Sequence, residues 1–131
     1  MSKKPNILAF VADQMRNDAL HLMGNAASLT PNLDAMATEG VAFQNAYCQN
    51  PVCVPSRSSF LTGLYPHTTG HQNMHYLQRE DEPNLLKVMK ENGYEVIWIG
   101  RNDVVPADRA KTAYCDEYYD GRDFFNKRDW V

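Results

Sequence analysis

The sequence predicts an α/β fold in which a mostly parallel sheet is flanked by helices. Two apolar stretches predict its strands: the run at residues 6–12 and the segment YEVIWIG at residues 94–100. The residues between them contain helical patterns with recognisable start and stop signals. Continuous apolar strands that alternate with amphipathic helices are typical of a parallel sheet covered on both faces.

The composition is that of an ordinary globular chain and excludes several function classes. The 131 residues are 44% hydrophobic and 22% charged, enough for one modest domain with a core. The net charge of −3 gives no bulk attraction to nucleic acid or to an anionic membrane, so neither is an expected partner. A membrane span needs roughly 20 apolar residues, and the apolar run at residues 7–12 is far shorter.

The cysteine content favours a reducing compartment. Cys48, Cys53 and Cys115 are odd in number and do not form the disulfide framework of a small secreted protein. We therefore expect a cytoplasmic location.

The first predicted strand, residues 6–12, ends at Asp13 and Gln14. Open α/β sheets bind ligands at the carboxyl ends of their strands. These two polar side chains are therefore candidate site residues.

A helix is predicted next, within residues 30–40. Thr30 suits the N-cap, Pro31 the first helical position and Gly40 the stop. One apolar stripe is expected to face inward, formed by Leu33, Met36 and Ala37. The alternation at residues 41–47 predicts a short strand.

The second half of the chain has two further helical patterns and one strand. A short helix is expected to begin just after Cys53 and to end at Gly63. A longer helix is predicted over residues 83–93, opened by Pro83, with Leu85, Leu86, Val88 and Met89 facing inward. The strand at residues 94–100 then ends in Arg101, Asn102 and Asp103.

No further strand–helix unit is predicted after residue 104, because residues 104–131 are rich in charges and aromatic side chains. A parallel sheet of only two strands would leave its edges open. Residues 1–131 are therefore expected to be the N-terminal part of a larger α/β domain.

A zinc site is one alternative for the cysteines and histidines in the middle of the chain. The spacing of Cys48, Cys53, His67 and His71 is close to that of a two-cysteine, two-histidine zinc finger. However, zinc-finger histidines lie on a helix, whereas YPHTTGH places a proline and a glycine beside them. Loop histidines that bond to the backbone are the favoured interpretation.

Several motifs together resemble a known family. The segments occur in the family's order: PNILAFVADQMRNDAL, TPNLDAMATEGVAFQNAYCQNPVCVPSRSSFLTGLYPH and NGYEVIWIGRND. They resemble the N-terminal part of the sulfatase family, within the alkaline-phosphatase-like superfamily. The C-x-P-S-R stretch followed by LTGLYPH is the most specific match, and the resemblance covers residues 5–103. It implies an alkaline-phosphatase-like sandwich with a mostly parallel sheet.

The resemblance implies a sulfuric ester hydrolase that uses a modified cysteine. A maturation enzyme would oxidise Cys53 to formylglycine, whose hydrated aldehyde offers one hydroxyl to attack sulfur and a second to expel sulfate. Arg57 lies four residues further on, where it can bond that hydroxyl and neutralise negative charge. The implied substrate is a small-molecule or carbohydrate sulfate ester.

The resemblance also implies a divalent cation held by oxygen ligands, Ca²⁺ first, with Mn²⁺ or Mg²⁺ as alternatives. Asp13, Gln14 and the modified Cys53 would be its ligands in this chain. Arg101 stands where many sulfatases have a lysine that contacts the sulfate. Asp103 would repel an anion unless it is protonated or pairs with Arg101, or else it contacts a substrate hydroxyl.

Two features leave other functions open. Gln14 replaces the family's usual second aspartate, and an Asp-Gln pair also occurs in relatives that hydrolyse phosphonate monoesters and phosphodiesters. The family's remaining metal ligands and catalytic residues lie downstream of residue 131. The isolated chain is therefore expected to be inactive or poorly active unless another segment completes the site, and an inactive fragment or zinc-binding module is the third alternative.

Overall fold

The computed structural model describes residues 4–121, which divide into two compact units, Met1–Tyr47 and Cys48–Val131. The first unit contains two 3₁₀ turns and one helix: Asn17–Ala19, His21–Met23 and α1 (Pro31–Glu39). The second contains α2 (Cys53–Thr62), α3 (Pro66–Thr69), α4 (Leu85–Glu91), β1 (Ile97–Gly100), α5 (Ala107–Arg109) with a π-helical turn (Ala110–Tyr114), and β2 (Glu117–Asp120). Over residues 4–121, no helix has the length and apolar character needed to cross a membrane.

Strands β1 and β2 pair in parallel, with Ile97 opposite Glu117 and Gly100 opposite Asp120. Together with the helices, this pair gives the α/β class that the sequence predicted. The sequence predicted no further strand–helix unit after residue 104, but a helix and a strand do form there. Strand β2 (Glu117–Asp120) is two acidic residues around two tyrosines, a composition without an apolar-run signal, and its pairing with β1 defines it.

The strand at 94–100 is shorter and more exposed than predicted. It begins at Ile97, and two backbone amides before that residue bond to groups outside the sheet ladder. The Tyr94 N–H donates to Met89 O at 3.0 Å, and the Val96 N–H donates to the Asp116 carboxylate at 2.8 Å. Ile97 and Ile99 are 52% and 68% exposed, so the described part of the sheet is open on that face.

Helix α1 forms where the sequence placed it, with Pro31 at its start. Thr30 precedes the helix, but its hydroxyl does not cap it. Instead, this hydroxyl accepts the His21 N–H at 3.0 Å and donates to Asp34 Oδ1 at 3.1 Å. The same carboxylate oxygen accepts the Leu22 N–H at 3.2 Å. These bonds fasten α1 to the preceding 3₁₀ turn through polar side chains.

The two strands predicted in the first unit are not formed. Residues 6–12 and 41–47 have no strand pairing, and Leu8, Phe10 and Tyr47 are more than 80% exposed. The inward stripe predicted on α1 is also wrong, since Leu33 and Met36 are exposed. A buried strand needs neighbouring strands and a packed layer, and none of the described residues 4–47 is buried.

The core of the second unit lies between the helices and β1. Its buried centre is formed by Val104, Val105, Ala110 and Tyr114, against which Leu61, Leu86, Ala113, Trp98 and Tyr118 pack. The Lys87 ammonium lies 4.8 Å from the centroid of the Tyr114 ring, a cation–π contact. Burial, followed by the nearby Glu80 and Glu82 carboxylates, raises the pKa of Tyr114.

Helix α4 begins at Leu85, because Asn84 is its N-cap in place of the predicted Pro83. The Asn84 carboxamide accepts the Leu86 N–H at 2.8 Å and donates to Gln78 Oε1 at 2.8 Å. Leu86 joins the core as predicted, whereas Leu85 and Val88 are 39% and 48% exposed.

Candidate active site

Cys53 is the first residue of α2. The residue before it, Val52, has extended backbone and no side chain able to cap the helix. The Ser56 N–H donates to Val52 O at 2.9 Å and starts the helical ladder. Pro55, in the first turn, has no N–H to leave unsatisfied. The half-buried Cys53 therefore lies at the positive end of the helix dipole, where backbone amides favour an anion.

Arg57 lies one turn further along α2, four residues after Cys53, on the same face of the helix. Its side chain is half-buried, and the two serines after it are buried. The Ser59 hydroxyl donates to Gln49 Oε1 at 2.7 Å. The helix thus brings Cys53 and Arg57 together, as the sequence predicted.

The loop after β1 carries the second pair of candidate residues. Gly100 ends the strand at φ +105°, a conformation that residues with a side chain rarely adopt. Arg101 follows, and its Nε lies 2.6 Å from Asp103 Oδ2. Asp103 therefore forms the ion pair with Arg101 that the sequence analysis gave as one way to reduce its repulsion of an anion.

Asn102 anchors this loop, a role that the sequence did not reveal. Its Oδ1 accepts the N–H groups of Val104 and Val105, each at 3.1 Å, and its Nδ2 donates to Val105 O at 3.0 Å. Because both valines are buried in the core, the loop is fixed to it. Asparagine commonly bonds backbone groups shortly after it in turns, which is the signal that could have identified it.

Asp13 and Gln14 belong to the first unit. Both are exposed and lie in a turn. Gln14 has φ +54°, whereas the other positive φ values in the described part of the chain belong to glycines. Left-handed backbone at a residue with a long side chain is a local outlier of the kind that occurs at functional sites.

The donors in this turn suit a hard cation but supply only part of its shell. Asp13 offers carboxylate oxygens and Gln14 an amide oxygen, and oxygen is the donor that Ca²⁺, Mg²⁺ and Mn²⁺ prefer. Calcium takes about 6 to 8 oxygens. Residues 4–121 contain no group of three His, Cys, Asp or Glu side chains able to hold an ion.

The zinc alternative finds no support in the geometry of His71. Its ring is 1% exposed, with Nε2 bonded to the Glu82 carboxylate at 2.8 Å and Nδ1 3.1 Å from Tyr76 O. Both ring nitrogens are thus engaged by protein oxygens. His67 lies on α3 and stacks on Tyr65, with ring centroids 5.5 Å apart.

Comparison with known proteins gives one family. A protein-family model described as Sulfatase matches residues 5–129. Over 106 residues the chain is 38% identical to an ulvan-active sulfatase from Formosa agariphila, covering 81% of this chain and 21% of that protein. It is 40% identical over 104 residues to an arylsulfatase from Clostridium perfringens, covering 79% and 22%.

A solved structure is similar as well. The structure of BT4656 in complex with its substrate, D-glucosamine-2-N,6-O-disulfate, matches with a TM-score of 0.75 and 31% identity, covering 79% of this chain and 21% of that one. The chain spans about a fifth of the length of the curated relatives it matches.

Proposed function

Because the chain belongs to the sulfatase family, we propose that residues 1–131 form the N-terminal part of the catalytic domain of a sulfuric ester hydrolase. The observation that carries this proposal is the placement of Cys53 at the start of α2, with Arg57 one turn further on the same face. Within one helix, this geometry provides a position for the nucleophile, backbone N–H donors and the guanidinium of Arg57.

The proposed nucleophile is formylglycine, made from Cys53 by a separate maturation enzyme. Its hydrated aldehyde would supply one hydroxyl that attacks sulfur and a second that expels sulfate as the carbonyl reforms. Arg57 donates a hydrogen bond to the formylglycine hydroxyl and neutralises its negative charge. The dipole of α2 favours the same charge, because Cys53 lies in its first turn.

Arg101 is the proposed clamp for the sulfate group. It follows β1 directly, at the strand end where α/β sheets bind ligands. A guanidinium presents several N–H donors in a rigid plane, in contrast to the point charge of lysine. The bonds of Asn102 hold the loop backbone in place beside it.

Asp13 and Gln14, together with the residue derived from Cys53, are the proposed ligands of a divalent cation, Ca²⁺ first, with Mn²⁺ or Mg²⁺ as alternatives. When bound, such a cation polarises an ester oxygen and favours deprotonation of a bound hydroxyl. The unusual φ of Gln14 fixes the direction in which its side chain leaves the turn.

A carbohydrate sulfate ester is the proposed substrate class. The structural neighbour is described with a sulfated glucosamine as its substrate. A phosphonate monoester or phosphodiester is the second candidate, because Gln14 replaces the usual second aspartate and an Asp-Gln pair also occurs in relatives that hydrolyse these esters. Competing the two kinds of ester on one preparation of the protein separates these candidates.

We test the modification by expressing the chain with and without a formylglycine-generating enzyme and measuring the mass of the peptide that contains residue 53. An aldehyde is expected at residue 53 only with the enzyme, and none in Cys53→Ala. Cys48 provides an internal control, since it is an exposed thiol outside the helix and should stay unmodified. An unmodified thiol at residue 53 in the presence of an active maturation enzyme contradicts the proposal.

A cytoplasmic location is part of the proposal. It is supported by the odd number of cysteines in the sequence, Cys48, Cys53 and Cys115, which do not form the disulfide framework of a small secreted protein. Cell fractionation of the native protein tests it.

A further inference from the structure

We propose that Asp103 sets the charge preference of the anion site at the end of β1, so that this site takes singly charged ester anions in preference to doubly charged ones. The inference rests on the proposed function, which places Arg101 against the ester. It assigns to Asp103 a role in specificity, acting through Arg101.

Arg101 and Asp103 form an ion pair whose formal charges sum to zero. Arg101 Nε lies 2.6 Å from Asp103 Oδ2, well within ion-pair distance. The side chain of Asp103 is 18% exposed, against 52% for Arg101, and its Oδ2 is buried. The negative charge is therefore less exposed than the positive one and less screened by water.

The carboxylate has little freedom to leave this position, because the backbone on both sides of it is held. Asn102, on one side, accepts two backbone N–H groups and donates to a carbonyl. Val104, on the other side, is 1% exposed, and its carbonyl accepts the Gln78 N–H at 2.7 Å. An anion approaching Arg101 therefore meets a fixed carboxylate beside the cation.

Charge then separates two classes of ester. Sulfate monoesters, phosphonate monoesters and phosphodiesters carry one negative charge, whereas a phosphate monoester carries nearly two above its second pKa of about 6. In a partly exposed site, one additional negative charge on the ester, about 6 Å from a carboxylate, weakens binding by about tenfold. Asp103 thus disfavours phosphate monoesters while leaving singly charged esters bound by Arg101.

The test measures binding of methyl sulfate and methyl phosphate to the isotopically labelled chain by NMR, at about pH 8, where methyl phosphate is doubly charged. The signals to follow are the Arg101 Nε–H and the amides of residues 100–103. Wild type is expected to bind methyl sulfate more tightly. Asp103→Asn should raise the affinity for methyl phosphate about tenfold more than the affinity for methyl sulfate.

Two further variants separate the effect of the charge at Asp103 from a change in overall charge and from a disturbed fold. Asp108→Asn removes the same charge from an exposed carboxylate 3.7 Å from Arg109, and it should leave the ratio of the two affinities unchanged. Asp103→Glu keeps the charge and should keep the wild-type ratio even if both affinities fall.

The proposal is overturned if Asp103→Asn and wild type have the same ratio of affinities for methyl phosphate and methyl sulfate. It is also overturned if wild type binds methyl phosphate more tightly than methyl sulfate, or if wild type binds neither anion. Formation of the aldehyde at residue 53 does not depend on any of these results. A failure of the charge preference is therefore distinguishable from a failure of the proposed sulfatase chemistry.

Discussion

His71 and Glu82 form a buried pair that closes the segment between α3 and α4. The imidazole Nε2 lies 2.8 Å and 3.0 Å from the two carboxylate oxygens, and the side chains are 1% and 5% exposed. Arg79 completes the cluster, with its guanidinium 2.7 Å from Glu82 Oε1 and its backbone N–H donating to Oε2 at 2.8 Å. Polar contacts, in addition to the apolar core, thus hold this segment.

Replacing His71 with alanine should destabilise the second unit by about 3 kcal/mol. Removal of one member of a buried pair leaves the other charge without its full set of partners, which typically costs 3–5 kcal/mol. Urea denaturation followed by circular dichroism measures the free energy of unfolding. His75→Ala is the matched control, because His75 is exposed and its loss should change the stability by less than about 0.5 kcal/mol. Equal effects of the two substitutions would show that the buried pair contributes nothing.

Gly100→Ala should lower the free energy of unfolding by about 1–2 kcal/mol, because Gly100 has φ +105°. Among residues 4–121, apart from Gly100 and its two neighbours in the chain, no heavy atom lies within 4 Å of the position that a Cβ would occupy, so the loss comes from backbone conformation and not from a clash. Thermal unfolding measures the change. A variant as stable as wild type would mean that the turn between β1 and Arg101 adopts another conformation without cost.

Gln14→Gly should stabilise the first unit by about 1 kcal/mol, since glycine adopts φ +54° without the penalty that a side chain brings. Gln14→Ala keeps that penalty and should give no gain. Comparing the thermal midpoints of the two variants isolates the backbone contribution. A gain of the same size in both would assign the effect to loss of the glutamine side chain.

Gln14→Asp should bind Ca²⁺ about tenfold more tightly than wild type, because it adds a second carboxylate beside Asp13. Calorimetric titration of the chain with Ca²⁺ measures this, and Asp13→Asn should weaken binding in the same assay. If neither substitution changes the affinity, the turn at residues 13 and 14 is not a cation site.

Asp116 should make the second unit less stable in acid. Its carboxylate accepts the Val96 N–H at 2.8 Å and pairs with Lys90 at 3.2 Å, and these contacts, the backbone bond first, lower its pKa. A group with a lowered folded-state pKa contributes stability above its unfolded pKa, about 3.9 for Asp. That contribution is lost as the pH falls through the lower value.

The stability difference between wild type and Asp116→Asn should therefore be largest at neutral pH and shrink below about pH 4. Denaturation at a series of pH values measures it. Lys90→Gln should keep most of the acid dependence, because the Val96 hydrogen bond is the larger cause of the shift. A constant difference at all pH values would contradict the role given to Asp116.

Helices α1, α2 and α4 were predicted because their signals are local, whereas the short helices α3 and α5 were not predicted. Pro31 and Gly63 mark the start of α1 and the end of α2 through their own backbone preferences, wherever the rest of the chain lies. The strand predicted at residues 6–12 had no such anchor. An apolar run forms a strand only when neighbouring strands and a covering layer are present, and the described residues of its unit provide neither.

The candidate site was predictable to the extent that its contacts are close in sequence. Cys53 and Arg57 follow from helical spacing, and the Arg101–Asp103 pair follows from two opposite charges two residues apart. The His71–Glu82 pair could not be predicted, since its members lie 11 positions apart in irregular chain without a periodic pattern.

The parallel pairing of β1 and β2 has a consequence for the order of events during synthesis. Parallel strands often close long crossovers, but the Asp116 carboxylate meets the Val96 amide at a separation of only 20 residues. Closing such a short loop costs little entropy, and contacts between residues close in sequence form quickly. Pairing of β1 with β2 can therefore begin once β2 has left the ribosome. For the modification proposed at Cys53, a maturation enzyme that requires an extended peptide would have to act before α2 packs.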